Sequence, residues 1–257
     1  MRRILVGSLL LIALAWSGVV QGQIVNVLSE DEKDAKGFTG SFGLALESKT
    51  GNVEETEMEA EAGFQYHWES SLLMLILKAK YGSEAGNVSE KANFEHLRFR
   101  QVITGPLGYE VFLQQEGDIS RRLVNRAVGG GGLRVSLADW DGGDLYLGVA
   151  YMAEQETLDD AEGTSDAGET FLRHRNSSYV ALTAALTDNV QLNETIYFQP
   201  RLDAFDKFRI MSETGFEFKV EESFSIVLSY TIRHDRAPYE QLDDVDTELQ
   251  TELQWSF

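Results

Sequence analysis

Apolar and polar residues alternate along most of the chain, and the alternation is clearest over residues 246–257. Trp255 and the terminal Phe257 fall on one parity, together with two leucines and two threonines. Glu248 and Glu252 fall on the other parity with the glutamines. Because neighbouring side chains of a strand point to opposite faces, this period of two predicts a β-strand with one apolar face and one polar face.

The same alternation recurs between residues 38 and 257, which predicts about twelve strands. The predicted strands are 38–47, 55–68, 71–81, 92–103, 109–116, 122–135, 145–156, 171–186, 190–199, 208–220, 224–234 and 245–257. Tight turns are expected at 67–70, 104–108, 136–144, 187–189 and 221–223, and longer polar loops at 82–91, 157–170, 200–207 and 235–244. An even number of strands with short turns on one side and long loops on the other is typical of transmembrane barrels. The pattern therefore predicts an all-β fold, a closed antiparallel transmembrane β-barrel.

A soluble all-β sandwich is the alternative, because alternation by itself does not distinguish the two architectures. The longest apolar run after the N-terminus covers only residues 72–77, far short of the roughly 20 residues that a membrane-spanning helix needs. A membrane barrel needs an apolar side chain only at every second position. The scarcity of fully apolar strands therefore favours the barrel.

The N-terminus has the pattern of a secretory signal peptide. Arg2 and Arg3 precede an apolar run that extends to Val20, and a polar, acidic segment follows at once. We therefore expect a signal peptide over residues 1–22 with cleavage near Gly22, and an uncleaved membrane helix is the alternative. The predicted division is 1–22 signal peptide, 23–37 periplasmic lead-in and 38–257 outer-membrane β-barrel, which places the protein in the cell outer membrane.

Charge and cysteine content exclude several classes of partner and chemistry. The chain has 22 Lys and Arg against 42 Asp and Glu, a formal net charge of −20, so nucleic acid is not an expected partner. It contains no cysteine, which excludes disulfides, thiolate metal sites and cysteine nucleophiles. We expect no cofactor.

Three short stretches resemble one family of bacterial barrels. They read GFTGSFGL at 37–44 with TGN at 50–52, YFQP at 197–200 followed by FDKFR at 205–209, and TEL at 247–249 continuing to Phe257. Over residues 37–257 the chain resembles the salt-induced outer-membrane proteins, a family without an established biochemical role. The resemblance implies a barrel in the outer membrane and brings no catalytic residues.

The C-terminal residues Trp255 and Phe257 resemble the assembly signal in the closing strand of such barrels. This resemblance implies recognition by the barrel-assembly machinery, in a membrane that contains lipid and lipopolysaccharide. Glu252 departs from the pattern, because many closing strands carry Gly at that position.

Strand parity assigns many charged side chains to the barrel interior. The candidate lumen-lining residues are Glu55, Glu57, Glu59, Glu61, Lys78, Lys80, Arg98, Arg100, Arg134, Arg209, Glu213, Glu217, Arg233, Glu248 and Glu252. We expect the acids of the first, second and last strands to form one arc, facing a basic arc on the third, fourth and sixth strands. Such a lumen is either a narrow, charge-lined pore for small ions or solutes, or a plug of ion pairs.

Three motifs suggest other chemistry. The glycines at 129–132 lack the following helix that a phosphate loop needs, so they are expected to provide curvature or room. His174, Asn176 and Ser178 share a parity but not the spacing of known barrel lipases. The acidic residues of 159–169 do not follow a calcium-loop pattern. We expect no enzyme activity and no metal site.

Two functions are compatible with these observations. One is a narrow pore or an envelope protein induced by salt or osmotic stress. The other is a structural or adhesive envelope protein whose acidic loops bind cations, without transport.

Overall fold

The computed structural model describes residues 36–49 and 55–257. The predicted signal peptide and most of the predicted lead-in lie outside the described residues. The strands are β1 Gly37–Lys49, β2 Glu55–Trp68, β3 Ser71–Glu84, β4 Asn87–Thr104, β5 Leu107–Asp118, β6 Leu123–Trp140, β7 Gly143–Leu158, β8 Thr170–Thr187, β9 Val190–Pro200, β10 Phe208–Glu221, β11 Phe224–Asp235 and β12 Val245–Ser256. Over the described ranges, no helix is long and apolar enough to cross a membrane.

The twelve strands form one closed antiparallel barrel in which each strand pairs with its neighbours in sequence and β12 returns to β1. This confirms the predicted fold class. The two chain ends of the barrel lie at the same end as the short β2–β3, β4–β5, β6–β7, β8–β9 and β10–β11 connections, here called the turn end. The opposite end, here called the loop end, carries residues 159–169, 201–207 and 236–244.

The predicted long loop at 82–91 is wrong. Strand β3 continues to Glu84 and β4 begins at Asn87, so that only Ala85 and Gly86 connect them. Both have positive φ, 46° and 81°, as the central residues of a type I′ hairpin turn require. Polar composition suggested a loop there, but exposed strand ends that extend past the barrel wall are polar on both faces as well.

Alternation along the strands separates an apolar outer wall from a filled interior. On β5, Val111 and Leu113 are 47% and 62% exposed, whereas Glu110 and Glu116 are each 1% exposed. Small residues admit large interior neighbours: a Cβ at Gly130 would collide with the ring of Phe112. The predicted role of residues 129–132 in providing room is therefore met at this position.

The seam between the first and last strands is short. Strand β1 pairs with β2 along its whole length, from Gly37 to Lys49, but its register with β12 covers only Ser41 to Leu44. The backbone amide and carbonyl groups of Gly40 and Phe257 also exchange two hydrogen bonds of 2.9 Å. Within the described strands, the part of β1 beyond Leu44 has no partner on β12, so the seam is closed at the turn end only.

Candidate functional site

The middle of the barrel interior is organised around Glu110 on β5. Its carboxylate lies 3.1 Å from Nη1 of Arg98 and 3.5 Å from Nε of Arg100, both on the adjacent β4. The Tyr179 hydroxyl on β8 donates a hydrogen bond of 3.1 Å to the same carboxylate from across the interior. All four side chains are buried. This carboxylate therefore links β4, β5 and β8 in the middle of the interior.

A second network fills the interior towards the loop end. Glu154 on β7 accepts from Nη2 of Arg126 at 2.8 Å and also bonds Arg175. Glu156, two residues further along β7, accepts at 2.9 Å from Nη1 of Arg209. Arg209 belongs to β10, so this ion pair crosses the interior rather than following neighbouring strands.

The predicted acidic strand β2 pairs with the lysines of β3. Lys78 Nζ lies 2.5 Å from Glu61, and Lys80 Nζ lies 2.5 Å from Glu57. Glu248 on β12 lies 3.7 Å from Lys80 and 3.5 Å from Arg233. Elsewhere Glu110 on β5 lies between the arginines of β4 and β6, so a carboxylate interrupts the basic arc that the sequence led us to expect.

The remaining candidate residues also lie on the interior parity. Glu59 and Glu213 are buried, and Glu217 accepts from Ser225 Oγ at 2.6 Å. The Arg134 guanidinium lies 3.5 Å from the centroid of the Tyr146 ring. The Glu252 side chain occupies the space over Gly43. Strand β2 begins at Glu55, whose side chain is outside the described part. A lumen-lining role for this set stays a prediction.

Sequence reasoning missed the residues that make most of the interior bonds. These residues are Glu110, Glu116, Arg126, Glu154, Glu156, Arg173 and Arg175. The signal was present, because Glu154 and Glu156 alternate on a predicted strand in the same way as the glutamates of β2. What the sequence does not show is which strands face one another across the interior.

Residues 236–244 fold over the loop end and insert Tyr239. Its hydroxyl donates to Glu156 Oε2 at 2.6 Å and accepts from Arg173 Nη1 at 2.7 Å. The Tyr239 ring stacks on Phe171 with centroids 5.5 Å apart. Burial and the neighbouring Glu156 carboxylate raise the pKa of Tyr239, so this hydroxyl keeps its proton and can donate it.

Arg122 ties three loop-end segments together. Its side chain lies 3.0 Å from Asp159, 2.8 Å from Asp166 and 2.7 Å from the carbonyl oxygen of Glu240. Burial would raise the pKa of Asp166, but hydrogen bonds from Arg122 and the Glu240 amide hold that pKa below its usual value. Asp166 is therefore ionised at neutral pH, and the loops form a connected cover.

Cavities are found at both ends of the described barrel. One of about 570 Å³ opens at the turn end and is lined by Trp68, Tyr109, Arg100 and Arg134 among others. The other, of about 60 Å³, lies beneath Tyr239 at the loop end. The Glu110 network and the apolar cluster of Leu72, Met74, Ile76 and Phe94 belong to the interior between the ends.

The terminal residues close the turn end of the seam. Phe257 packs its ring over Gly40, where a Cβ would come within 2.7 Å of it, and lies 6.4 Å from the Phe38 ring. Trp255 contacts Phe224 on β11 with ring centroids 5.0 Å apart. These contacts give both residues a structural role, and the predicted assembly-signal role stays a prediction.

The outer wall does not assemble a hydrolase site. His174 Nδ1 is 2.6 Å from the Tyr151 hydroxyl, while Ser178 donates to Asn176 Oδ1 at 2.6 Å. For the described residues, no hydrogen bond joins Ser178 to His174, as a nucleophile and its base would require. Within the same part of the chain, no three His, Asp or Glu side chains are grouped as metal ligands would be.

Comparison with known proteins gives a family match and several architectural likenesses. Residues 42–257 match the family model described as "Protein of unknown function, DUF481". Among curated proteins, none matches the chain.

The likenesses among solved structures concern the barrel architecture alone. The NanC porin is 6% identical, with a TM-score of 0.48, over 85% of this chain and 98% of that one. The KdgM porin in complex with disordered oligogalacturonate is 9% identical, with a TM-score of 0.46, over 85% and 99%. The β domain of the Bordetella autotransporter BrkA is 10% identical, with a TM-score of 0.44, over 87% and 99%.

Proposed function

The chain belongs to the DUF481 family of proteins of unknown function, and from its own geometry we propose that it is a narrow, charge-lined pore of the bacterial outer membrane. In this conformation the pore is closed by interior ion pairs. The turn end faces the periplasm and the loop end faces outwards, with lipid and lipopolysaccharide around the wall. The C-terminal strand is the part that the assembly machinery recognises.

The observation that carries the proposal is the number of buried ion pairs in the interior, which lie beside smaller apolar clusters. Buried ion pairs contribute little net stability compared with apolar side chains of similar volume, because each charge must first be desolvated. A barrel that served only as a scaffold would be at least as stable with an apolar filling. The interior instead keeps Arg98, Arg126 and Arg209 beside carboxylates, an arrangement that can exchange partners and admit small ions.

Planar-bilayer conductance tests the proposal. We expect small, discrete steps for the parent protein and a cation preference in a KCl gradient, because Glu57, Glu59 and Glu61 exceed their lysine partners. Replacing these three glutamates together with Gln should lower the cation preference. A matched variant, Glu84→Gln with Glu221→Gln and Glu222→Gln, removes the same charge from exposed strand ends and an exposed turn and should not change it. A parent protein without conductance steps would rule out a pore.

A structural envelope protein is the second candidate, and the loop cover favours it. Arg122 and Tyr239 hold residues 236–244 across the loop end, and exposed carboxylates of residues 159–169 face outwards there. These carboxylates would bridge divalent cations to neighbouring lipopolysaccharide. This candidate predicts no conductance and a loss of heat resistance on chelation of divalent cations. Induction by salt belongs to the first candidate and is measured as protein level at low and high osmolarity.

A further inference from the structure

The cavity beneath Tyr239 contains a buried cation whose hydrogen-bonding groups are not used. Arg233 on β11 is 9% exposed and lines this cavity. Among the described residues, none of its three guanidinium nitrogens has a hydrogen-bond partner. Glu248 lies 3.5 Å from Nη1, which is an ion pair without a hydrogen bond. A buried guanidinium whose donors are unsatisfied is costly, so these donors favour a ligand oxygen.

Arg209 lines the same cavity, and its guanidinium donates hydrogen bonds to two carboxylates. Its Nε donates to Asp235 at 2.7 Å and its Nη1 to Glu156 at 2.9 Å. Those two carboxylates are therefore occupied by Arg209 and do not neutralise Arg233. Among the described arginines that line the cavity, Arg233 is the one whose buried guanidinium nitrogens lack a hydrogen-bond partner.

The cavity also carries negative charge close to Arg233. Asp246 on β12 is the register partner of Arg233. Asp243 lines the cavity from residues 236–244, here called the covering segment. A simple anion on Arg233 would lie near Asp246, and a simple cation near Asp243 would lie near Arg233. A ligand with one charge of each sign avoids both conflicts, because each end meets an opposite charge.

We propose that this cavity is a binding site for a small zwitterion of the amino-acid class. The ligand carboxylate accepts hydrogen bonds from Arg233, its ammonium group faces Asp243, and Tyr239 forms the roof. The volume of about 60 Å³ corresponds to a few water molecules at roughly 10–15 Å³ each, so the ligand has only a few non-hydrogen atoms. The site does not require that the barrel conducts.

Isothermal titration of the folded protein in detergent micelles tests the proposal with glycine, acetate and methylammonium as probes. We expect saturable binding of glycine, and at least tenfold weaker binding of acetate and methylammonium. Arg233→Gln should weaken glycine binding at least tenfold. Arg236→Gln, which changes an exposed arginine of the same covering segment, should leave it unchanged.

Folding of each variant is checked by its mobility before and after heating. If Arg233→Gln does not fold, Asp243→Asn provides the same test from an exposed position and should also weaken glycine binding. The proposal is overturned if glycine shows no saturable binding, if acetate binds as tightly as glycine, or if folded Arg233→Gln or Asp243→Asn binds glycine like the parent.

Discussion

Glu110 shows how single residues determine whether this interior is stable. It is 1% exposed and is the carboxylate partner of both Arg98 and Arg100. Removing such a residue lowers the free energy of unfolding mainly because its partner stays buried as an uncompensated charge, which keeps its desolvation cost. The stability of the barrel is therefore expected to fall when one member of a buried ion pair is removed, and to fall less when every member is replaced by a neutral side chain.

We expect Glu110→Gln to lower the free energy of unfolding by about 3–5 kcal/mol, since it leaves the buried Arg98 guanidinium without its carboxylate. The measurement is the urea midpoint of the transition between folded and unfolded mobility. The triple variant with Arg98, Arg100 and Glu110 all changed to Gln should recover part of the loss. Glu222→Gln in an exposed turn serves as the control, and a midpoint of Glu110→Gln equal to the control would contradict the network.

At the scale of elements, alternation predicted the strands well but could not predict their contacts. The parity of β2 and β12 follows directly from the sequence. The pairing of Glu61 with Lys78 was not predicted, because it depends on the register of β2 against β3. The ion pair of Arg209 with Glu156 depends on barrel diameter and strand tilt, which no local pattern encodes. The short β3–β4 turn was missed because strand ends beyond the wall have the composition of a loop.

Deletion of Phe257 should lower the amount of protein assembled in the outer membrane without changing synthesis. The reason is that its ring covers Gly40 and its backbone completes the seam. Trp255 keeps its contact with Phe224, so the expected defect is partial. Quantitative blotting of membrane fractions measures it. Phe205→Ala, at an exposed loop-end aromatic, is the control, and an assembled level equal to that control would rule out this role.

At the scale of the whole molecule, closure makes the barrel behave as one unit. Each described strand is hydrogen-bonded to a neighbour on both sides along at least part of its length. None of these strands is therefore an edge strand over its whole length. Cross-interior bonds such as Tyr179 to Glu110 add connections that do not follow the strand order. Such a structure is expected to unfold cooperatively rather than strand by strand.

We expect the protein to resist SDS at room temperature and to change its electrophoretic mobility after boiling, because a closed hydrogen-bonded wall excludes the detergent until heat opens it. Identical mobility before and after boiling would contradict closure.

Cysteine pairs report where the wall is closed, since the chain has no cysteine of its own. Leu44→Cys with Leu253→Cys replaces register partners and should form a disulfide on oxidation. Leu46→Cys with Thr251→Cys, the positions that would come next if the ladder continued, should remain reduced.

Strand β1 has a short hydrogen-bonded register with β12 and a full-length one with β2, so the barrel is weakest between β1 and β12. A sheet closed into a ring fails first where the fewest hydrogen bonds must break together, and here that is the contact of residues 41–44 with β12. Thermal motion and mechanical load would therefore split the cylinder along this one line, starting from the loop end, while the long β1–β2 ladder holds. The β1–β12 pairing at the turn end therefore determines the direction of opening, from the loop end towards the turn end.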